Sequence, residues 1–140
     1  IGGHGDTTMI PLTRLATYMG TPVSNYLDEE TLKKVAADTM VGGATLTKLL
    51  GTSAWYAPGA SGASLVEAIV RDENRLMPCC VMLDGEYGQS DICIGVPVHI
   101  GKNGWSKVVD VNLNNEEKAQ FAKSAEAVRN MNNVLSTLNI

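Results

Sequence analysis

Strict alternation of large apolar residues with smaller or polar ones marks the stretch Ile92-Cys93-Ile94-Gly95-Val96-Pro97-Val98-His99-Ile100. A period of two is typical of a β-strand that buries one face, so the apolar set is predicted to face a core. The sequence Gly101-Lys102-Asn103-Gly104 follows and predicts a hairpin onto a second strand over residues 105–113. An apolar run at 79–83, followed by turn residues at 84–88, predicts one more strand. This region therefore predicts an antiparallel sheet.

Two helical patterns precede these strands. Asp28 and the acidic residues after it predict a cap and a first turn, and Gly51 predicts the end of that helix. The pair Gly42-Gly43 interrupts the apolar pattern, which indicates either a kink or break, or a place where another segment packs closely. Pro58 suits the first turn of the next helix, where its missing N–H costs nothing. The predicted buried stripe of that helix consists of Ser61, Leu65, Ala68 and Ile69.

A third helix is predicted near the end of the chain. Asn114 and Glu117 have the spacing of a capping box, with Asn in place of the usual Ser or Thr. The face expected to be buried comprises Phe121, Ala125, Val128, Asn132 and Leu135. Nearer the start, β-formers at 7–18 and 23–26, separated by Gly20-Thr21-Pro22, predict a strand pair or ribbon. We expect residues 1–140 to form one α+β domain.

Composition argues against two classes of partner. The chain has 140 residues and a net charge of −4 without a cluster of Lys or Arg, which argues against nucleic-acid binding. No apolar run approaches the roughly 18 residues that span a bilayer, so no membrane partner is expected. The chain opens on Ile1 rather than on Met, and we expect it to be a piece of a longer protein.

The cysteines are Cys79, Cys80 and Cys93. An odd number with two adjacent is not typical of a disulfide framework, and the absence of a C-x-x-C pair argues against zinc. We interpret them as buried, reduced thiols of a cytosolic protein and expect a cytoplasmic location. A nucleophilic role for Cys80 or Cys93 has no support from neighbouring residues.

The segment best suited to chemistry is Ile1-Gly2-Gly3-His4-Gly5-Asp6. Glycines on both sides of His4 allow backbone and ligand to approach closely, and an imidazole exchanges a proton near neutral pH. In one interpretation His4 is a general acid and base; in the other, His4 and Asp6 are metal ligands. A metal site needs at least one more ligand, and the other histidine, His99, is predicted to lie at the surface or an interface. We therefore favour acid–base chemistry and predict no metal.

Other catalytic and nucleotide-binding motifs are missing from the sequence. It has no Gly-x-Gly-x-x-Gly after a strand and no phosphate-binding loop of the Walker type. The run Gly59-Ala60-Ser61-Gly62 is not a nucleophile elbow, because its second glycine comes one residue early and no strand leads into it. We interpret Ser61 as a packing residue.

Several ordered segments resemble the lactate/malate dehydrogenase family. The first is Ile1-Gly2-Gly3-His4-Gly5-Asp6-Thr7-Thr8-Met9-Ile10-Pro11-Leu12, which is similar to the family's active-site segment, G-x-H-G-D followed by a short stretch ending in Val-Pro or Ile-Pro. The run Ser53-Ala54-Trp55-Tyr56-Ala57-Pro58 is similar to a segment of malate dehydrogenases of the lactate-dehydrogenase type. Residues 94–97 and 113–135 are also similar to that subgroup, so the resemblance covers essentially the whole chain.

The resemblance implies a two-domain subunit of which this chain matches only the C-terminal, substrate-side half. That half has antiparallel β-ribbons and a sheet packed with long helices, and the Rossmann half is absent. His4 would be the proton donor and acceptor as malate and oxaloacetate are interconverted with NAD, with Asp6 as a structural carboxylate that bonds nearby backbone. Ser53 and Ala54 match the wall of the substrate pocket, and Pro58 matches a place near the nicotinamide.

The resemblance also places important groups upstream of this chain: the carboxylate that orients the histidine, the arginine that clamps the substrate, and the nucleotide-binding glycines. The isolated chain is therefore expected to be inactive, and its parent a homo-oligomer, dimer or tetramer. The alternatives are a lactate or other 2-hydroxyacid dehydrogenase domain, and a non-catalytic oligomerisation module built on the helices that begin at Asp28 and Pro58. A metal-dependent hydrolase at His4 and Asp6 is more distant. This sequence departs from the family pattern at Gly43-Ala44-Thr45, because family members often have a glycine and an acidic residue there.

Overall fold

The structure is a computed structural model that describes residues 1–135 and 137–138. Its strands and helices are, in chain order, β1 (Thr17–Tyr18), β2 (Thr21–Pro22), α1 (Glu29–Leu50), α2 (Tyr56–Val70), β3 (Arg75–Asp84), β4 (Ser90–Gly101), β5 (Gly104–Val108) and α3 (Asn115–Leu135). Single 3₁₀ turns lie at Thr13–Leu15, Val23–Asn25 and Glu86–Gly88. Antiparallel strands and long helices agree with the predicted α+β class.

The central sheet is antiparallel in the order β3-β4-β5, and its buried face forms the core. The alternation in β4 is confirmed, because each of its large apolar residues is at most 4% exposed: Ile92, Ile94, Val96, Val98 and Ile100. Ala68 of α2 and Phe121 and Ala125 of α3 pack against this face. The opposite face of the sheet is not covered by any described helix or strand, since the alternate residues of β3 are exposed.

Strand β5 ends at Val108, so the prediction that it reaches residue 113 is wrong. The next residue, Val109, donates its N–H to the carbonyl of Pro97 at 2.8 Å, but proline has no N–H to return. The hydroxyl of Tyr87 takes over instead: it donates to the carbonyl of Val109 and accepts the N–H of Val111 at 3.2 Å. The ladder therefore stops where its partner strand lacks a donor.

Helix α1 begins as predicted and runs further than the glycine pair suggested. The carboxylate of Asp28 accepts the N–H of Thr31 at 2.7 Å, and this hydrogen bond lowers the pKa of Asp28. The helix continues through Gly42 and Gly43, where an added Cβ would meet nothing within 4 Å. Neither a break nor a close contact of another segment is found there in residues 1–135. Gly51 ends the helix with φ = 72°.

The stripes predicted for the other two helices are buried only in part. In α2, Ala68 is buried and its neighbours Leu65 and Ile69 pack against the core, but Ser61 is exposed, so its predicted packing role is wrong. All of residues 56–63 in the first half of α2 are exposed. In α3, the predicted stripe packs against the core as far as Val128, whereas Asn132 and Leu135 are exposed.

The capping box at the start of α3 is confirmed. The side-chain oxygen of Asn114 accepts the N–H of Glu117, and the carboxylate of Glu117 accepts the N–H of Asn114, both at 2.9 Å. Glu117 also accepts two hydrogen bonds from the guanidinium of Arg14, at 2.7 and 2.9 Å, which lower the pKa of its carboxyl. The start of α3 is thereby tied to the segment that precedes β1.

The predicted N-terminal ribbon exists but is short. Only Thr17 with Pro22 and Tyr18 with Thr21 are paired, and residues 23–25 form a 3₁₀ turn instead of a strand. The β-formers nearer the start pair elsewhere: Met9 forms a bridge with Gly2. The N–H of Ala16, which the next pair would use, donates instead to the carbonyl of Thr13 at 3.1 Å, so the ribbon is limited to these two pairs.

Candidate active site

Residues 1–10 form a closed loop that carries His4 at its tip. The amino group of Ile1 donates to the carbonyl of Ile10 at 2.9 Å, and the N–H of Ile10 donates back at 2.8 Å. Inside this pair, the carbonyl of Gly5 accepts the N–H groups of Thr8 and Met9 at 3.0 and 2.9 Å. The backbone of the loop is therefore bonded on both sides of His4.

Two distant elements hold the loop in place. Gly2 and Gly95 of β4 exchange backbone hydrogen bonds of 2.9 and 3.0 Å, so the base of the loop pairs with the part of β4 that β5 does not reach. On α3, the hydroxyl of Ser124 accepts the N–H of Gly3 at 2.8 Å and donates to the carbonyl of Thr8 at 2.7 Å. Sheet and helix thus fix the residues that flank His4.

The glycines at this junction are required by the space available. A Cβ at Gly95 would lie 2.7 Å from the carbonyl oxygen of Gly2, and a Cβ at Gly2 would lie 2.5 Å from that of Thr8. Gly2 also has φ = 99°, a conformation that residues with side chains rarely adopt. Two backbones therefore approach each other closely at this junction.

His4 itself faces solvent. Its side chain and that of Asp6 are exposed, and neither makes a hydrogen bond or ion pair within the described part of the chain. The bond from Asp6 to nearby backbone is thus not formed by residues 1–135 and 137–138, and its supporting role stays a prediction. A solvent-facing imidazole on an anchored loop is available to bind and exchange a proton with a substrate oxygen.

A metal site is not assembled around His4. Among the described residues, no group of three His, Cys, Asp or Glu side chains is placed to hold a metal ion. His99 lies on the sheet face opposite the apolar set of β4, as predicted, with its Nδ1 3.2 Å from the carbonyl oxygen of Asn74. The geometry therefore offers His4 and Asp6 no third ligand.

The other predicted site residues lie around the start of α2. Ser53 and Ala54 are in the connection from α1, and Pro58 is in the first helical turn. Ser53 and Pro58 are exposed and Ala54 is half-buried. Within the residues described, no hydrogen bond joins any of them to the loop of His4. Their roles near substrate and nicotinamide stay predictions.

The three cysteines are free, but only one of them is shielded. Cys79 is half-buried on the core side of β3, where burial raises the pKa of its thiol. Cys80 and Cys93 are exposed, so the prediction that they are buried is wrong. Alternation along β3 and β4 turns both of them toward the uncovered face of the sheet.

Sequence reasoning missed Ser124 and the role of Gly95, although both left a signal. Ser124 lies between Phe121 and Val128 on the helix face that packs against the core, and it is only 4% exposed. A polar residue on an apolar helix face requires a hydrogen-bond partner. A glycine inside a strand such as β4 often marks the close approach of another backbone, and here that backbone is Gly2.

Comparison with known proteins decides the family. The model of the lactate/malate dehydrogenase, alpha/beta C-terminal domain, matches residues 1–137. The chain belongs to the lactate/malate dehydrogenase family. The resemblance found in the sequence and the predicted fold class are both confirmed by this match. His4 and its anchored loop therefore lie in a domain of the lactate/malate dehydrogenase C-terminal type.

Individual members of the lactate/malate dehydrogenase family are similar over nearly the whole chain. The malate dehydrogenase of Flavobacterium johnsoniae is 67% identical over 138 residues, which are 99% of this chain and 44% of that protein. The structure of malate dehydrogenase from Salinibacter ruber superposes with a TM-score of 0.94 at 44% identity, covering 98% of this chain and 45% of that one. Lactate dehydrogenase from Eimeria maxima, solved with NADH and oxamate, has a TM-score of 0.92 at 31% identity, covering 99% and 44%. The chain thus spans less than half the length of these family members.

The described helices give no sign of a membrane-spanning segment. None of those in residues 1–135 and 137–138 combines the length and the apolar character needed to cross a bilayer.

Proposed function

We propose that this chain is the substrate-side domain of an NAD-dependent malate dehydrogenase that interconverts malate and oxaloacetate. The observation that carries the proposal is the 67% identity, over 99% of the chain, to a protein named malate dehydrogenase. The exposed His4 on its anchored loop supplies the acid–base group that this reaction needs. The Cα–hydroxyl of malate loses a proton when it becomes a ketone, and the keto oxygen of oxaloacetate gains one.

His4 is the residue to which we assign that proton. In oxaloacetate reduction its imidazolium donates a proton to the keto oxygen, and in malate oxidation its neutral ring accepts the hydroxyl proton. An imidazole is suited to both directions because it changes charge near neutral pH. A general acid or base also needs a fixed position, and the bonds of Gly2 and Gly3 to β4 and α3 support this.

NAD would be held mainly outside this chain. The described residues contain no glycine-rich turn between a strand and a helix to bind its phosphates, and the first turn of α2 at Pro58 is exposed. When bound, NADH would supply the hydride for reduction of oxaloacetate, and NAD⁺ would accept it in oxidation of malate. We propose that the residues which bind it, together with the arginine that clamps the substrate, belong to the other half of the parent. The isolated chain is therefore proposed to be inactive.

The test uses the full-length parent chain. NADH oxidation is measured with oxaloacetate and with pyruvate for the wild type, for His4→Asn and for His99→Asn, which changes the other histidine of this chain. We expect oxaloacetate to be the better substrate, His4→Asn to lose turnover while NADH still binds, and His99→Asn to behave as wild type. Activity that survives in His4→Asn would remove the assigned role of His4.

The same assay separates the nearest alternative. Faster turnover of pyruvate would identify a lactate dehydrogenase, a possibility that fits the similarity to the Eimeria maxima enzyme. Turnover of another 2-keto acid would point to a different 2-hydroxyacid dehydrogenase. No reaction with any keto acid would leave only the fold in common with the family.

Helix α1 favours a second, non-catalytic candidate: a module for oligomerisation. None of its 22 residues is buried, although Val35, Val41 and Leu46 are apolar and 46%, 45% and 41% exposed. We propose a homo-oligomeric parent on this basis, and a cytoplasmic location because the three thiols are free. Sedimentation of the chain tests the module; a monomer at high concentration would contradict it.

A further inference from the structure

We propose that Ser124 is a positioning residue for His4: its hydroxyl bridges the two sides of the loop, at Gly3 and Thr8. The inference rests on the proposed function, since it gives the bridge a role in turnover. Ser124 is on α3 and lies 121 residues from Gly3 in sequence. It does not touch the reacting atoms and acts only through the loop.

The bridge occupies a particular place in the pairing of the loop. Ile1 pairs with Ile10 and Gly2 with Met9, so Gly3 and Thr8 are next in register. These two residues do not bond each other. The N–H of Thr8 donates to the carbonyl of Gly5, while the N–H of Gly3 and the carbonyl of Thr8 are both bound by the Ser124 hydroxyl. The hydroxyl thus replaces a backbone hydrogen bond and holds the two strands apart where the loop opens.

This position demands a group that both accepts and donates. The Ser124 hydroxyl accepts the N–H of Gly3 at 2.8 Å and donates its proton to the carbonyl of Thr8 at 2.7 Å. A hydroxyl can do both at once because it has one proton to donate and lone pairs that accept. It is only 4% exposed, so water has little access to take its place. Packing around Gly3 is also close, since a Cβ there would lie 3.2 Å from Cγ2 of Val128.

Removal of the hydroxyl has a direct consequence for His4. In Ser124→Ala, the N–H of Gly3 and the carbonyl of Thr8 either lose their partner or close onto each other. Either change moves the residue that immediately precedes His4. Misplacement of a catalytic group by about 1 Å can lower turnover by about 100-fold.

The experiment uses the full-length parent with variants Ser124→Ala, Ser124→Thr and Ser64→Ala. Ser64 on α2 is the matched control, because its hydroxyl accepts a hydrogen bond of 2.7 Å from Arg75 of β3, outside the His4 loop. Turnover of oxaloacetate, the KM for NADH, the isotope effect with 4-deuterated NADH and the exchange of backbone amides in residues 1–10 are measured. All variants are compared at a temperature at which their circular dichroism matches the wild type.

For Ser124→Ala we expect kcat to fall by about 10- to 100-fold with little change in the KM for NADH. We also expect faster amide exchange in residues 1–10 and a larger isotope effect, because the chemical step becomes limiting. Ser124→Thr keeps the hydroxyl and is expected to restore much of kcat, and Ser64→Ala is expected to match the wild type in all four measurements.

Three outcomes would overturn the inference. Wild-type kcat in Ser124→Ala is the first, and unchanged amide exchange in residues 1–10 is the second. The third is an equal loss of kcat in Ser64→Ala, which would indicate a general effect of stability. Amide exchange alone decides the matter if Ser124→Thr does not fold. Failure of the proposed function would be seen separately. It would appear as wild-type activity in His4→Asn, or as no activity of the parent with any keto acid, independently of the results for the Ser124 variants.

Discussion

Gly2 pairs with Gly95 of the central strand β4, beyond the end of β5, and the two residues exchange backbone hydrogen bonds of 2.9 and 3.0 Å. These bonds link the loop of His4 to the core, since Ile94 and Val96 on either side of Gly95 are buried at 1% and 0% exposure. The position of the base of the loop is thereby fixed by β4. A residue that does not touch His4 therefore has a defined effect on its position.

The first prediction concerns Gly95→Ala. The added Cβ would lie 2.7 Å from the carbonyl oxygen of Gly2, a backbone atom that must move. We expect about 1–3 kcal/mol lower stability and a loss of kcat of about 10- to 100-fold in the parent enzyme. Gly62→Ala in α2 is the control, because nothing lies within 4 Å of its new Cβ. Equal effects of the two changes in kinetics and urea unfolding would contradict the prediction.

The second prediction concerns the pH dependence of stability at Glu117. Its hydrogen bonds from Arg14 lower the pKa of the folded state below the unfolded value, which is about 4.3. A lowered carboxyl pKa adds stability above about pH 4.3, and this stability is lost as the pH falls through the folded pKa.

Glu117→Gln removes this charge and keeps an amide that can still form the capping box. We expect about 1 kcal/mol lower stability at pH 7 and a smaller difference between pH 7 and pH 3. Urea unfolding across that range measures both quantities. Glu126→Gln, an exposed position on the same helix, is the control. A pH dependence identical to that of the wild type would show that the ion pair does not contribute.

The third prediction tests whether the hydroxyl of Tyr87 stabilises the backbone that follows the end of β5 at Val108. In Tyr87→Phe, the carbonyl of Val109 and the N–H of Val111 lose the hydroxyl that binds both. The ring itself would stay packed on Phe121, where the ring centroids are 5.3 Å apart. We expect a loss of about 1–3 kcal/mol in urea unfolding. Tyr26→Phe is the control because Tyr26 is 58% exposed, and an effect of similar size there would refute the explanation.

The fourth prediction concerns thiol reactivity. Cys93 and Cys80 are exposed, whereas Cys79 is half-buried, and burial raises the pKa of both the Cys79 and the Cys80 thiol. Because labelling requires access to the thiol as well as the thiolate, we expect the less accessible Cys79 to be labelled last by a disulfide reagent at pH 8. Mass spectrometry of digested protein gives the order. Early labelling of Cys79 would show that the core side of β3 is open in solution.

Much of the secondary structure was predictable because its signals are local. The alternation in β4, the cap at Asp28, the stop at Gly51 and the capping box at Asn114 each depend on residues no more than four positions apart or on a period of two. The end of β5 was not predictable in this way. It depends on the lack of a donor in Pro97, which lies on the neighbouring strand.

In the candidate site, too, the features that depend on neighbouring residues were predictable and those that depend on distant residues were not. The glycines around His4 indicate a loop that a ligand or backbone can approach closely, and the motif in which they occur identifies the family from sequence. The anchors of the loop could not be read from that segment. Gly95 and Ser124 are a small residue in a strand and a serine on a helix, and neither shows its partner in the sequence around it.

The amino-acid sequence was sufficient for the class of fold, the bounds of most strands and helices to within a few residues, the family and the candidate acid–base histidine. Each follows from periodicity, capping or a contiguous motif, which are properties of neighbouring residues. Only the tertiary structure decided that Gly2 meets Gly95, that Ser124 bridges Gly3 and Thr8, and that Cys80 and Cys93 are exposed. The reason is that burial and pairing depend on which faces of β4 and α3 meet, and that is determined by packing between residues far apart in the chain.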